Sequence, residues 1–317
     1  MTPILQYAGL LLERADHLRR DAARLDEYFH SPACRIIPLL EERSLLRVNG
    51  NPATVAEAVW VSLPDLYGCL HPDSARVFLG LWDEAPVFAV HVEARDSRPL
   101  LTQWPDSRFI DLRNVGSLLD NASASLLAYA RGLLYWQRHH GYCSRCGAPT
   151  TAVQGGHVMQ CLNESCGRQS FPRLEPAVIM LVEREQADSR QVLLGRSHQW
   201  THNVFSTLAG FVEPGETLEA AVAREVWEEA GIRVDMVQYQ ASQPWPFPAS
   251  LMLGFRARAL SHALHIDPQE LAEARWFSAA ELRTFGNWGD AGNGLKLPRA
   301  DSIARFLIDS WLAEQQD

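Results

Sequence analysis

The chain has 317 residues, of which 47% are hydrophobic and 21% are charged, a composition typical of a globular protein with about two domains. Its formal net charge of −9 argues against a protein that works mainly by non-specific contact with nucleic acid. A nucleotide substrate is still compatible with this charge, because metal ions can bridge carboxylates to phosphates. No segment approaches the roughly 20 apolar residues of a membrane helix. The N-terminus also lacks the basic start and the cleavage site of a signal peptide, so we expect a cytoplasmic protein.

The predicted elements fall into three regions, 1–135, 136–172 and 173–317. In the first region, the segments 74–82 and 86–94 are rich in β-branched and aromatic residues and predict strands. Apolar residues recurring at spacings of three and four predict a helix from Ser117 to His140. That helix leads directly into the second region.

The third region predicts a sheet combined with a few helices. Thr217 is the predicted N-cap of a helix over Leu218–Ala230, and Gly231 is expected to end that helix in the left-handed conformation. Strands are predicted at 176–182, 190–197, 234–239, 250–260 and 275–277, and an amphipathic helix at 301–316. This mixture favours an α/β or α+β sandwich over a helical bundle.

Closely spaced cysteines mark the second region. Their spacing is C-x2-C, fourteen residues, then C-x4-C, formed by Cys143, Cys146, Cys161 and Cys166. Two close pairs on two turns can place four thiolates around one Zn²⁺, and four protein ligands leave no open position, so we predict a structural zinc site. Four reduced cysteines packed in a small hairpin are the alternative. Cys34 and Cys69 stand apart and are interpreted as buried, small apolar residues.

A short zinc ribbon can also bind nucleic acid. The local charge supports that function only weakly, through Arg145, Arg168 and Arg173.

The helix predicted after Thr217 carries the clearest chemical signal. On a helix, Glu225 lies three residues from Glu228 and four from Glu229, so these carboxylates share a face. They repel one another unless cations neutralise them, and oxygen ligands suit Mg²⁺ or Mn²⁺ bound to substrate phosphates. A solvated acidic helix face is the alternative for this spacing alone. The surrounding residues argue for a metal site, namely Gly210 and Gly215 in the preceding loop, Glu216 before the helix, and Arg224 beside Glu225.

Residues Gly210–Ile232 match G-x5-E-x7-R-E-U-x-E-E-x-G-U, with U apolar, at every fixed position. The segment therefore resembles the box of the Nudix hydrolases. The resemblance implies a mixed β-sheet between helices and hydrolysis of a nucleoside diphosphate linked to another group. It implies that the catalytic group comprises Glu216, Arg224, Glu225, Glu228 and Glu229. It further implies that metal ligands come from the Ala209 carbonyl and from Glu225, Glu228, Glu229 and Glu270.

The segment Ser242–Ser250 reads SQPWPFPAS and forms a stiff, proline-rich connection between two predicted strands. A proline-rich ligand for another protein, or a rigid loop, is the alternative from composition alone. The segment resembles the SQPWPFPxS signature of the NADH pyrophosphatase (NudC-like) branch, which also has a zinc ribbon before its Nudix domain. The resemblance covers about 140–317, and it assigns 1–135 to the N-terminal domain of that branch by position only.

The branch resemblance also implies a substrate site, in which Trp245 and Phe247 could offer flat surfaces to a base. The implied substrate residues are Phe171, Phe211, Gln243, Pro244, Trp245, Pro246, Phe247, Pro248, Ala249, Ser250 and Ala304. Two departures from the branch are visible. Phe171 replaces a usual tyrosine, which removes a hydroxyl contact, and the second cysteine pair has four intervening residues where two are usual.

The expected activity is hydrolysis of NADH, and of NAD⁺, to reduced or oxidised nicotinamide mononucleotide and AMP. Removal of NAD caps from RNA 5′ ends is a related expectation. The implied cofactors are more than one Mg²⁺ or Mn²⁺ per site and one structural Zn²⁺ per chain, and the implied partner is a second copy of the chain in a homodimer. The alternatives are another nucleoside diphosphate substrate, such as ADP-ribose or a diadenosine polyphosphate, and a nucleotide-sensing regulator without activity.

Overall fold

The computed structural model describes residues 5–50, 54–71, 73–186, 189–200 and 203–315. Contacts divide the chain into two compact units. The N-terminal unit comprises Gln6–Leu174 and the short segment Trp245–Ala249. The C-terminal unit has the bounds Met1–Leu5, Glu175–Pro244 and Ser250–Asp317.

A mixed six-stranded sheet forms the centre of the N-terminal unit. Its strands are β1 (Arg35–Leu40), β2 (Arg43–Asn49), β3 (Val55–Ala58), β4 (Arg76–Trp82), β5 (Ala85–Val92) and β6 (Ser107–Asp111). The order is β3-β2-β1-β5-β4, and β6 also pairs with β2. Strands β1 and β5 are parallel, whereas the other pairs are antiparallel.

Both faces of this sheet are covered because its central strands are apolar at successive positions. The helices of the unit are α1 (Ala22–His30), α2 (Arg98–Gln103), α3 (Leu112–Val115) and α4 (Asn121–His139). Val77 and Ile37 belong to the core cluster that contains α4, whereas Phe78 and Ile36 belong to the cluster on the other face with α1. The period-two alternation of a strand places neighbouring residues on opposite faces in this way.

The cysteine segment follows α4 as a small three-stranded sheet. Its strands are β7 (Thr150–Val153), β8 (Val158–Cys161) and β9 (Gln169–Ser170), in the order β7-β8-β9. Two antiparallel pairings join them.

The C-terminal unit contains a second mixed six-stranded sheet. Its strands are β10 (Glu175–Gln186), β11 (Ser189–Ser197), β12 (Leu208–Phe211), β13 (Val234–Trp245), β14 (Ser250–Ala259) and β15 (Leu271–Ser278), and its helices are α5 (Leu218–Ala230), α6 (Ala279–Leu282) and α7 (Ile303–Ala313). The order is β13-β14-β10-β11-β15, with β12 paired to β10, and β10 runs parallel to β14. Val222 of α5 packs in the core cluster on one face, and Trp311 of α7 packs in the cluster on the other. The predicted class, a mixed sheet between helices, is confirmed.

Several predicted boundaries differ from the observed ones, among them those of the strand predicted at 275–277, observed as Leu271–Ser278, and of the helix predicted at 301–316, observed as Ile303–Ala313. Helix α4 begins at Asn121 rather than Ser117, because the Asp120 side chain caps it by accepting a hydrogen bond from Ser123 N. Strand β13 continues to Trp245, so part of the proline-rich segment is extended sheet rather than a free connection. In the described part of the chain, no helix combines the length and apolarity needed to cross a bilayer.

Candidate active site

Helix α5 is fixed at both ends by the residues predicted to cap it. Thr217 Oγ1 accepts a hydrogen bond from Ala220 N at 3.2 Å. Gly231 adopts φ 68° and donates its N–H to the Trp227 carbonyl at 2.8 Å. A Cβ at Gly231 would lie 2.6 Å from the His265 Cβ, so glycine is required by both the dihedral angle and the space. The two caps therefore fix where α5, the helix that carries the carboxylates, begins and ends.

Arg224 joins three of the predicted catalytic carboxylates. Its Nε lies 2.7 Å from Glu216 Oε1, and its Nη1 lies 2.9 Å from both Glu225 Oε1 and Glu228 Oε2. Its Nη2 donates to the Phe211 carbonyl at 2.8 Å and to Glu216 Oε2 at 2.9 Å. The hydrogen bonds from Arg224 lower the pKa of Glu216. One guanidinium thus ties the loop before α5 to the carboxylate face of the helix.

Glu229 is the most deeply buried carboxylate of the group. The side chain is 8% exposed, and its Oε2 has no hydrogen-bond partner in the described part of the chain. Burial raises the pKa of Glu229 to about 8, with further contributions from the charges of Glu225, Glu270 and Glu228. Burial also raises the pKa of Glu225, although Arg224 opposes that effect. Without a cation, this surrounding therefore favours the protonated form of Glu229 at neutral pH.

Strand β12 brings the preceding loop against this carboxylate face. Ala209 pairs with Ile179 of β10, and Gly210 pairs with Val178. A Cβ on Gly210 would lie 1.8 Å from the Glu225 Cδ, so only glycine allows Glu225 its present position. Arg224 thus joins the predicted Phe211 and Glu216 to the carboxylate face of α5, β12 places Ala209 next to Gly210, and the charge of Glu270 acts on Glu225 and Glu229.

The donor set fits hard divalent cations. All of its side-chain donors are carboxylate oxygens, which Mg²⁺ and Mn²⁺ prefer. The buried Glu229 Oε2 without a hydrogen bond is an atom that such a cation would satisfy. A cation would also offset the mutual repulsion that raises the pKa of Glu229.

The four cysteines of the second region converge on one point. Their sulfur atoms all lie within 4.8 Å of one another, with Cys143 Sγ 3.8 Å from Cys166 Sγ and Cys146 Sγ 3.5 Å from Cys161 Sγ. Backbone N–H groups of Arg145 and Cys146 lower the pKa of Cys143 to about 6 and favour its thiolate form, whereas burial raises the pKa of Cys161. The predicted structural zinc site is supported, including the longer second pair. Cys34 and Cys69 are buried, as predicted.

The proline-rich signature is divided between the two units. Ser242 to Pro244 and Ser250 belong to the C-terminal unit, whereas Trp245–Ala249 belongs to the N-terminal unit. There, the Phe247 ring is 9% exposed and packs edge-on against Tyr7 at 6.0 Å and Trp245 at 5.1 Å between centroids. Phe247 is thus engaged in internal packing, and its contact with a substrate base stays a prediction.

Other predicted substrate residues differ in how accessible they are. Gln243 is fully buried, and its amide group donates to the Asp301 carbonyl and accepts from Ile303 N, both at 2.7 Å. Ala304 follows on α7 and is buried. Phe211 and Phe171 are exposed, and Phe171 lies in the N-terminal unit. Gln243 therefore holds the start of α7 in this structure.

Sequence reasoning missed Arg131, a buried residue on α4. Its Nη1 donates to the Pro246 carbonyl, and its guanidinium carbon lies 5.2 Å from the Phe247 ring centroid. The signal that could have revealed it is an arginine within the apolar run LLAYARGLLYW. A charge is expensive to bury unless it has a specific partner.

The N-terminal unit also contains a cleft of about 1350 Å³ lined only by its own residues. Five arginines line it, and four of them pair with carboxylates, as in Arg19–Asp16 at 3.0 Å and Arg138–Glu42 at 3.2 Å, while Asp73 adds a further negative charge to the lining. The cleft therefore offers no excess of positive charge to a phosphate group.

Comparison with protein families matches three consecutive parts of the chain. Residues 34–136 match an NADH pyrophosphatase-like rudimentary NUDIX domain. Residues 138–171 match the NADH pyrophosphatase zinc ribbon domain, and residues 173–295 match the NUDIX domain.

Curated relatives share most of the chain. A protein of Mycobacterium bovis, strain BCG / Pasteur, described as NAD-capped RNA hydrolase NudC, is 36% identical and covers 98% of this chain and 95% of its own length. A protein of Stutzerimonas stutzeri with the same description is 39% identical over 75% of this chain and 77% of its own length. Among solved structures, a NUDIX hydrolase from Nitrosomonas europaea aligns with 50% of this chain and 99% of its own at 22% identity and a TM-score of 0.36.

Proposed function

The chain belongs to the Nudix hydrolases, in their NADH pyrophosphatase (NudC-like) branch, and from that premise we propose that it hydrolyses the diphosphate bond of NADH and NAD⁺. The products are reduced or oxidised nicotinamide mononucleotide and AMP. We extend the proposal to removal of NAD caps from RNA, because the relatives are described as NAD-capped RNA hydrolases. The observation that carries it is the buried Glu229 carboxylate, unsatisfied by hydrogen bonds among the described residues, beside Glu225 and Glu270.

In this proposal, Mg²⁺ or Mn²⁺ is held by Glu225, Glu228, Glu229 and Glu270 together with the Ala209 carbonyl. When bound, such cations offset the charge of the diphosphate and lower the pKa of a water molecule. The cysteine cluster would hold one structural Zn²⁺ and would take no part in the chemistry, because four thiolate ligands leave no open position for a substrate.

The chain's own contribution is positioning and charge. Arg224 fixes the rotamers of Glu216 and Glu225 through the hydrogen bonds described above. Gly210 leaves space for Glu225 against β12. Burial keeps water away from Glu229, which strengthens every electrostatic interaction made there. Diphosphate cleavage depends mainly on such preorganised positioning and electrostatics.

The remaining assignments follow from the same proposal. Residues 173–317 form the catalytic domain, 136–172 the zinc ribbon and 1–135 an N-terminal domain. The substrate site includes Phe171, Phe211, Ala304 and the segment from Gln243 to Ser250. We propose a homodimer in the cytoplasm, since closed twofold dimers are the commonest protein oligomers.

The direct test offers NADH, NAD⁺, ADP-ribose and an NAD-capped RNA separately to the purified protein with Mg²⁺ or Mn²⁺. Mass spectrometry identifies the products. Mononucleotides from NADH, or a 5′-monophosphate RNA from the capped RNA, support the proposal, and the kcat/KM values rank the substrates. If none of the four is cleaved by zinc-containing protein, the proposal is wrong and a nucleotide-sensing regulator becomes the better description.

A matched pair of variants on α5 tests the carboxylate assignment. Glu229→Gln should lower kcat by about 1000-fold or more while the protein stays folded, because an amide cannot replace a carboxylate ligand. Glu219→Gln changes an exposed residue of the same helix and should leave kcat within about twofold of wild type. If Glu229→Gln retains a kcat close to that of wild type, the assignment of Glu229 as a metal ligand is wrong.

A further inference from the structure

Arg131 is an arginine in an apolar environment. It lies on α4, it is 6% exposed, and its neighbours Ala130, Leu133 and Leu134 belong to the core. Burial lowers the pKa of Arg131, and the charges of Asp111 and Glu42 oppose that effect, although no carboxylate among the described residues lies within salt-bridge distance of it. Its guanidinium donates hydrogen bonds to backbone carbonyl groups, those of Pro246 and, through Nε at 3.2 Å, of Glu42. A buried cation carries a large desolvation cost, so this arrangement implies a specific use.

The Pro246 carbonyl belongs to the segment Trp245–Ala249. The chain leaves the C-terminal unit after Pro244 and returns to it at Ser250, so these five residues are held by contacts with the N-terminal unit. Arg131 supplies the hydrogen bond to the backbone of the segment, and such a bond from a charged donor is about twice as strong as a neutral one.

The side chains of the same segment are held by aromatic and cation–π contacts. The Arg113 and Arg131 guanidinium carbons lie 4.9 and 5.2 Å from the Phe247 ring centroid. Tyr7 packs edge-on against both Phe247 and Trp245, at 6.0 and 6.1 Å. Edge-on aromatic pairs and cation–π contacts each add a favourable interaction beyond the burial of apolar area. Together these contacts restrict the rotamers of both aromatic residues.

We infer that Arg131 is a positioning residue for the substrate site, through which the N-terminal unit sets the conformation of the segment Trp245–Ala249. The inference rests on the proposed function, in which that segment contacts the dinucleotide. Binding loops require such support, because a displacement of about 1 Å in the contacting groups is enough to weaken binding strongly.

The test compares Arg131→Gln with Arg138→Gln. Both residues lie on α4 seven positions apart, and both contact Glu42, but Arg138 pairs with the Glu42 side chain rather than with the segment. Arg131→Gln should raise the KM for NADH by about tenfold, the effect of losing one hydrogen bond from a charged group. Its kcat should stay within about threefold of wild type, because the carboxylates of the C-terminal unit are unchanged. Arg138→Gln should change neither parameter.

A purely structural role predicts a different result. Partial unfolding lowers the concentration of active enzyme, so the apparent kcat falls while KM is unchanged. Arg131→Lys provides the second variant, because it keeps the charge in the apolar environment and can donate to one carbonyl, although not with the fork of a guanidinium. It should give a KM between those of wild type and Arg131→Gln. A double variant with Phe247→Leu should raise KM by less than the product of the two single effects.

The outcomes separate this inference from the proposed function. If wild type does not cleave NADH or capped RNA, the proposed function fails first. If wild type is active and the KM of Arg131→Gln and of Arg131→Lys equals that of wild type, only the positioning role is overturned. If kcat falls at constant KM in both variants, the positioning role is also overturned. Arg131 then contributes only to the stability of the fold.

Discussion

Arg224 holds Glu216 with two parallel hydrogen bonds, from Nε to Oε1 at 2.7 Å and from Nη2 to Oε2 at 2.9 Å. This fork links a loop residue to the helix residue eight positions later. The same guanidinium reaches Glu225 and the Phe211 carbonyl, so one side chain fixes the geometry of the carboxylate group.

Arg224→Lys should therefore lower kcat by about 100-fold, the effect of misplacing reacting groups by about 1 Å. A lysine ammonium is a point donor and cannot form the fork to Glu216 while it also contacts Glu225. Steady-state kinetics with NADH measures the change. Arg233→Lys, near the other end of α5, serves as the control, since Arg233 contacts the Trp227 ring rather than a carboxylate. Equal kcat values for the two variants would contradict this interpretation.

Gly210→Ala should impair activity more than stability. The new Cβ would lie 1.8 Å from the Glu225 Cδ, and the flexible carboxylate would move away rather than the strand. We expect kcat to fall by at least about 100-fold with a loss of unfolding free energy of about 1–2 kcal/mol. Gly215→Ala is the control, because Gly215 has φ 93° but no neighbouring atom within 4 Å. That variant should lose about 1 kcal/mol of stability through backbone strain and keep its kcat.

Removal of zinc should destabilise the N-terminal unit without abolishing the chemistry at the carboxylates. Cys146→Ser removes one of four thiolates, and the variant should bind less than one zinc per chain and melt at a lower temperature. Metal analysis by mass spectrometry together with calorimetry measures both effects. Cys34→Ala changes a buried cysteine outside the cluster and should retain the full zinc content. Wild-type zinc content in Cys146→Ser would refute the four-cysteine site.

His157 should make stability depend on pH. It is 9% exposed, its Nε2 lies 2.8 Å from the Phe78 carbonyl oxygen, and burial lowers its pKa to about 4 from an ordinary 6.5. Because the folded pKa is the lower one, the unfolded chain binds the proton first as the pH falls. The contribution of His157 is complete above pH 6.5, declines between 6.5 and about 4, and is constant below that range.

Between about pH 7 and pH 5, this group alone should remove about 2 kcal/mol of unfolding free energy. Urea unfolding of wild type and His157→Gln at both pH values measures it, and the variant should lose correspondingly less stability on acidification. His17→Gln, at an exposed position, should follow wild type. Parallel pH dependence of wild type and His157→Gln would show that burial does not hold His157 neutral.

The sequence determined what depends on local spacing. The helix repeat places Glu225, Glu228 and Glu229 on one face whatever surrounds them, and the capping roles of Thr217 and Gly231 follow from their intrinsic preferences. The two close cysteine pairs indicated a zinc site because the spacing within each pair is also a local property of the sequence. The apolar periodicity of the strands and helices indicated an α/β or α+β class, and the resemblance of Gly210–Ile232 to the Nudix box added the mixed sheet between helices.

Only the tertiary structure decided where the proline-rich segment packs. The hydrogen bond from Arg131 to Pro246 joins residues 115 positions apart, and the bond from Ile303 N to Gln243 spans 60. No local pattern specifies such pairs, because the partner of a buried polar group is set by the packing of elements that are distant in the chain. Burial of Glu229 likewise raises its pKa, because packing of α5 on the sheet removes the carboxylate from water. The spacing of residues along a helix does not predict this desolvation.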